Sequence, residues 1–487
     1  MTDALRIAIV HYHLRAGGVT SVIKQAVASL QSRDVHVAVL SGAEAPPDIA
    51  GAKSAVVEGL NYADPSRPPC TPEFLVERLD EAAAKALGAP PDVWHIHNHS
   101  LGKNFVFTEA VFLMAERGSR LFLQIHDFPE DGRPANYRDL LSAVGRGDPG
   151  RLGARLYPQA PQVLYAVLNH RDARFLREAG CPAEHVCLLP NAVSGKALAD
   201  AGGAPPQDGL FLYPTRAIRR KNMGEFILWA ACEPGARFAA TLAPTNPADL
   251  VVYRRWKEFA ASCGLPVSFE LGLDGKVPFQ ELLNSARAIV TTSVAEGFGL
   301  AFLEPWLAGR PLAGRDLPEM TQGFKNEGMS FPSLYSRVRI PVEWIGLDAF
   351  RRKVESGLAQ MMSAYGRAPR AGDVESAVAA ATEGDLVDFG RLDEALQEQV
   401  IQRVHSSPAL RAAVTPSGLA PDLTPEETIG ANRRIVELNY GAAQYGGRLM
   451  ESYRALMGRV VEPVGTLRAE TLLDKFLSPE RFFLIRT

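Results

Sequence analysis

Short, unbroken apolar runs alternate with longer amphipathic stretches along most of the chain. In the first half, residues 7–11, 35–40, 93–97, 121–126 and 163–168 read as buried strands, and the spacing predicts a helix over 20–32. Strands that are apolar at nearly every position belong to parallel sheets covered on both faces. The pattern breaks at Pro190-Asn191 and again at Gly202-Gly203-Ala204-Pro205-Pro206, a composition suited to a linker. It then restarts, with strands at 210–214, 237–243, 267–271 and 288–292 and helices at 223–231, 247–263 and 279–284. Two α/β halves joined near residue 200 follow from this alternation. Beyond residue 324 only helical patterns stand out, over 347–366, 393–405 and, as one long amphipathic helix, 432–456. Residues 462–487 show no assignable pattern.

Composition narrows the class. A chain of 487 residues has room for two ordinary domains with additions, and 46% hydrophobic with 22% charged residues excludes a disordered chain. The formal net charge of -3 gives no reason to expect nucleic acid or an anionic membrane as partner. The five cysteines are scattered and fit no zinc spacing, which reads as reduced thiols in a cytosolic protein. The first apolar run is too short for a signal peptide, and no apolar segment reaches the roughly 18 residues that span a bilayer. A cytoplasmic location and no transmembrane segment are expected.

Five segments place polar chemistry at the ends of predicted strands. Gly17 and Gly18 follow the first strand and open a helix, where free N–H groups and a positive dipole end suit an anion; a plain tight turn is the alternative. His95, His97 and His99 fall on one face if their strand runs on to residue 99. Three imidazoles suit zinc, but no carboxylate or cysteine completes the set, and a polar strand end facing a ligand accounts better for them. His126 and Asp127 end the next strand, as an acid–base pair, as positional hydrogen-bonding groups or as structure. Arg216, then Arg219, Arg220 and Lys221 at a helix start, gather cations that suit a diphosphate or a solvated turn. Glu296-Gly297-Phe298-Gly299-Leu300 forms a loop after the strand at 288–292, and Glu304 lies about a turn into a helix that begins near Leu300; Glu296 suits sugar hydroxyls, and Glu304 a ribose or simply the helix dipole.

In residues and order, these segments resemble the retaining glycosyltransferases of family four across residues 5–320. The resemblance rests on Glu-x7-Glu (Glu296 to Glu304), the Gly-Gly-Val loop at Gly17–Gly18–Val19, His126-Asp127, the Pro190-Asn191-Ala192-Val193 hinge, and the Arg216 and Lys221 pair. It implies an α/β fold of GT-B architecture, two Rossmann-like domains facing a cleft, with a C-terminal helical extension. The N-terminal, acceptor-side domain would span 1–200, the nucleotide-sugar domain 205–430 with a helical insertion, and a helix crossing back with the tail 431–487. It also implies a hexosyltransferase that needs no metal or cofactor and takes a nucleotide-diphosphate sugar and a hydroxyl acceptor. His126 would lie against the transferred sugar, Arg216 and Lys221 on the diphosphate, Glu296 on donor hydroxyls with help from Gly297, Phe298, Gly299 and Leu300, and Glu304 on the ribose. Gly17, Gly18, His97, Asp127 and Asn191 would complete the substrate surface. The stretch Gly314-Arg315-Asp316-Leu317-Pro318-Glu319 departs from the family pattern, and the region beyond 324 would shape the acceptor site or mediate self-association. Another GT-B activity, an epimerase or a phosphorylase, and a non-catalytic sugar- or nucleotide-binding protein are the alternatives. A dehydrogenase is disfavoured because the first strand–helix turn lacks GxGxxG.

Overall fold

A seven-stranded, all-parallel sheet forms from β1 (Leu5–His11), β2 (Val35–Ser41), β3 (Lys53–Val56), β4 (Val93–His97), β5 (Leu121–Ile125), β6 (Val163–Val167) and β7 (Val186–Leu188). Its order is β3-β2-β1-β4-β5-β6-β7. A second parallel sheet holds β8 (Leu210–Arg216), β9 (Arg237–Leu242), β10 (Val267–Ser268), β11 (Ala288–Thr291), β12 (Leu312–Arg315) and β13 (Leu334–Tyr335), in the order β10-β9-β8-β11-β12-β13. This computed structural model describes residues 4–44, 49, 51–64, 66, 69–193, 209–272 and 278–486, so the linker expected at 202–206 lies outside the described residues. β10 is shorter than the expected 267–271, because Glu270 takes a left-handed conformation (φ 60°) that ends the strand. Each sheet is Rossmann-like: strand order doubles back once, between β1 and β4 in one and between β8 and β11 in the other.

Two compact units result: Met1–Ala192 with Ala364–Gly366 and Asn439–Leu477, and Val193–Ser363 with Arg367–Leu438 and Ser478–Thr487. The long helix expected over 432–456 is in fact two, Glu426–Tyr440 and Ala442–Met457, divided at Gly441, whose extended backbone (φ -71°, ψ 161°) interrupts the helical ladder. The second of these helices completes the core of the first unit. Its Tyr445, Leu449, Met450, Tyr453 and Leu456 pack with Ile23, Ala26, Val27 and Leu30 of the helix Gly18–Leu30 and with Ile7 and Ile9 of β1. Gly446 permits this approach, since a Cβ there would lie 2.5 Å from the carbonyl oxygen of Ser29. Among the described residues no helix is long and apolar enough to cross a membrane.

The second unit carries a small antiparallel sheet, β14 (Arg339–Pro341), β15 (Thr382–Glu383) and β16 (Leu386–Asp388), ordered β14-β16-β15. A buried charge cluster ties it to the parallel sheet. Arg315, ending β12, donates from Nε and Nη2 to Glu225 (2.9 and 2.6 Å) and from Nη1 and Nη2 to Asp388 (2.9 and 2.8 Å). Tyr335 Oη donates to Glu225 Oε1 (2.8 Å), and Asp388 Oδ1 accepts the backbone N–H groups of Val338 and Gly390. All three charged side chains are almost wholly buried. Taking one partner from a buried cluster leaves an uncompensated charge, at about 3–5 kcal/mol. Arg315→Met, which strands two carboxylates, is therefore expected to lower stability by at least about that much. Urea unfolding followed by tryptophan fluorescence checks it, and an unchanged midpoint would contradict the role given to the cluster.

Candidate active site

In an open α/β sheet a ligand binds beyond the carboxyl ends of the strands, where strand order reverses. In the first unit that place lies past β1 and β4. Beyond β1, Gly17 and Gly18 start the helix, and a Cβ on Gly18 would meet nothing within 4 Å. Local packing therefore does not demand glycine at 18; the absence of a side chain leaves the helix N-terminus open. β4 stops at His97, because Asn98 adopts a left-handed backbone (φ 53°) that turns the chain. This corrects the one-face arrangement of His95, His97 and His99. The His99 ring is diverted, with Nε2 2.8 Å from the carbonyl of Leu156. His95 uses both nitrogens, with Tyr453 Oη (2.7 Å) and Gln124 Oε1 (2.9 Å), so this ring has none left for a zinc ion.

His97 and His126 do come together, Nδ1 to Nε2 at 2.9 Å. Burial draws the His126 pKa down to about 4 against the opposing pull of Asp127, and burial with the neighbouring His95, His126 and His11 holds His97 well below the ordinary histidine value. Both imidazoles are neutral at pH 7. Asp127 pairs with Arg133. Asn98, which no sequence motif singled out, holds this turn: its Oδ1 accepts from the backbone N–H of His126 (2.8 Å) and of Asp127 (3.2 Å). Asparagine is the side-chain-bearing residue best suited to a left-handed position, and an Asn directly after a buried strand was the available signal. Asn191 is buried, with Oδ1 unpartnered among the described residues.

In the second unit the reversal lies past β8 and β11. Here Lys221 Nζ pairs with Glu296 Oε1, Arg220 Nη1 donates to Glu296 Oε2 (3.3 Å) and to the carbonyl of Ala295 (2.7 Å), and Ser293 Oγ donates to Glu296 Oε1 (2.6 Å). Thr292 Oγ1 and Tyr213 Oη both donate to the carbonyl of Lys221 (2.9 and 3.1 Å), binding the loop after β8 to the end of β11. Burial alone would push the Glu296 carboxyl up, but Lys221 and Arg220 outweigh it and hold the group below its ordinary value. Of the other cations in the cluster, Arg219 is committed to Glu394 (2.6 and 2.9 Å), whereas Arg216 is exposed and donates from Nη1 to the carbonyl of Ala243 (3.2 Å).

Past Glu296 and Gly297, Phe298 packs edge-on against Phe324, and Gly299 turns left-handed (φ 93°). The helix expected from Leu300 begins later. Leu300–Phe302 is a single 3-10 turn, and Glu304 is the first residue of the short helix Glu304–Leu307, whose second residue, Pro305, has no N–H to extend the ladder backward. Burial raises the Glu304 pKa against the pull of Lys221.

Each of these clusters occupies the place where its own α/β sheet would bind a ligand. No family model matches the sequence. The chain is 26% identical over 427 residues to the mannosylglucosyl-3-phosphoglycerate synthase of Petrotoga mobilis, covering 80% of this chain and 79% of that one. Among solved structures it superposes on HepE of Anabaena in complex with UDP and glucose (TM-score 0.53, 12% identity, 93% of this chain and 100% of that one). It also superposes on the sucrose-phosphate synthase of Thermosynechococcus elongatus (TM-score 0.52, 15% identity, 93% and 99%). The chain has the GT-B glycosyltransferase fold. In GT-B terms the first unit is the N-terminal Rossmann-like sheet and the second unit the C-terminal one.

The charge pair gives a pH test. With its folded pKa below the ordinary glutamate value of 4.5, Glu296 contributes stability that is fully present above that value and lost as pH falls through the folded pKa. The stability gap between the native protein and Glu296→Gln is expected to be steady from pH 8 to about 5 and to shrink below it. Urea midpoints measured across that range check this, and a gap independent of pH would contradict it.

Proposed function

We propose that this chain is a retaining, metal-independent glycosyltransferase that moves a hexose from a nucleotide diphosphate to an acceptor hydroxyl. The observation that carries the proposal is the Lys221–Glu296–Ser293 cluster, with Arg220 beside it and Glu304 a short loop away, at the switch point of the C-terminal sheet. Homology to a named synthase over four-fifths of the chain supports it. In this reading Arg216 and Lys221 neutralise the diphosphate as it leaves, the work a metal ion would otherwise do. Glu296 binds donor hydroxyls and Glu304 the ribose. His126, neutral, hydrogen-bonds the transferred sugar. The bond from the anomeric carbon to the diphosphate breaks, the acceptor oxygen bonds to the same face of that carbon, and the acceptor proton passes to the departing phosphate oxygen, so configuration is retained. The relative's product carries a mannosyl group on glucosyl-3-phosphoglycerate. We read the acceptor of this chain as an anionic glycoside of that kind.

A ligand at 100 times its Kd stabilises a folded protein by about 2.7 kcal/mol. Against UDP, GDP, ADP and their sugar conjugates, one nucleotide family is expected to raise Tm, undiminished by EDTA and much less in Arg216→Ala. No shift with any of them would contradict the reading. With that donor and glucosyl-3-phosphoglycerate, His126→Ala is expected to lower kcat far more than it weakens nucleotide binding, and the product anomer is expected to match the donor by NMR. Equal turnover in His126→Ala, or an inverted product, would overturn the corresponding part.

A further inference from the structure

We infer that His97 and Asn98, consecutive residues at the carboxyl end of β4, are positioning residues that lock His126 in one tautomer, with its proton on Nδ1, so that it faces the ligand as a hydrogen-bond donor. What His126 donates to rests on the glycosyltransferase reading; its tautomer does not.

The bond between the two imidazoles runs edge to edge. Their planes differ by 10°, their centroids are 5.2 Å apart, and the 2.9 Å between nitrogens is shorter than any face-to-face contact. One nitrogen of this bond must carry the proton and the other must accept it, because both rings are neutral at pH 7. The far side of His97 decides which. Its Nε2 is buried and meets no partner among the described residues. A buried N–H without an acceptor is rarer in folded proteins than a buried acceptor without a donor. His97 therefore carries its proton on Nδ1 and donates to His126 Nε2. His126, with Nε2 accepting, keeps its proton on Nδ1, the nitrogen turned away from His97. In water a neutral histidine favours the opposite tautomer, with the proton on Nε2, so the arrangement is imposed by its neighbour.

Asn98 fixes the backbone beneath that ring. Its Oδ1 accepts both N–H groups of the His126–Asp127 step. Its own carbonyl oxygen accepts Tyr12 Oη at 2.8 Å, and its N–H donates to the carbonyl of Gln124 at 3.0 Å, tying the turn to β1 and β5. Ring and backbone of His126 are thus held from one dipeptide. His97, expected from the sequence to touch substrate, acts in this reading from behind the residue that does.

Long-range proton–nitrogen NMR correlation on protein labelled with 15N-histidine reads the tautomer directly, without any substrate; the His126 signals are assigned by their loss in His126→Gln. A protonated Nδ1 and bare Nε2 on His126 at pH 7 are expected. A protonated Nε2, or an imidazolium, would overturn the inference. In activity assays, His97→Ala frees His126 Nε2 to take the proton and is expected to lower kcat by about 10²-fold, the scale for losing one preorganised donor, with the donor KM little changed. His97→Asn, whose amide N–H stands where Nδ1–H stood, is expected to recover most of that loss. Should His97→Ala fail to fold, His97→Asn and the native spectrum still decide. Equal kcat in a folded His97→Ala would overturn the positioning role. Absence of transfer with every donor, alongside the expected spectrum, would overturn the function and leave the tautomer standing.

Discussion

A parallel sheet whose strand order doubles back leaves adjacent carboxyl strand ends with connections running to opposite faces, and the crevice between those connections is where groups can gather without covering one another. That constraint acts once in each unit of this chain. Past β1 and β4 it collects the helix opened by Gly18, the His97–Asn98 turn and His126; past β8 and β11 it collects Arg216, Lys221 and Glu296. Buried, largely apolar strands make the frame, and the polar groups that face these crevices gather past their carboxyl ends.

The two crevices differ in electrostatic character. The first is a neutral, desolvated set of imidazoles, suited to orienting hydroxyl groups. The second is charged, with two cations drawn onto one carboxylate. Glu296 holds the Lys221 ammonium in place within the cluster. Away from the site, the Arg315–Glu225–Asp388 cluster does different work, joining β12 to the small sheet β14-β16-β15.

Strand positions were largely legible because each is a short apolar run bounded by turn residues, as at Val93–His97 and Leu121–Ile125. The cation cluster and the Glu296 loop were legible because those residue types sit where a strand has just ended. Other features left no local trace. Strands of two or three residues, such as Thr382–Glu383, are too short to show a period. The Arg315 cluster joins residues 90 and 73 positions apart in sequence. The failure at His99 has one cause, a single left-handed residue at Asn98, which redirected everything after it. Gly441 divided an apparently continuous amphipathic pattern for a similar reason: periodicity reports which face is apolar, and says little about where a helix stops.

The segment Asn439–Leu477 belongs to the unit that begins at the first residues of the chain, and Tyr453 reaches His95 within it. A ribosome releasing this protein therefore exposes seven strands of the first sheet while the helix that closes one face is hundreds of residues from being made. Until then the apolar surface of the helix Gly18–Leu30 and of β1 lacks its final cover, and the pairing that supplies it is among the most sequence-distant in the molecule. Domains made whole from one stretch of chain mature in order as they emerge; this one cannot be completed before Asn439–Leu477 has been made. Cutting the gene between the two units would likewise leave the first one unfinished.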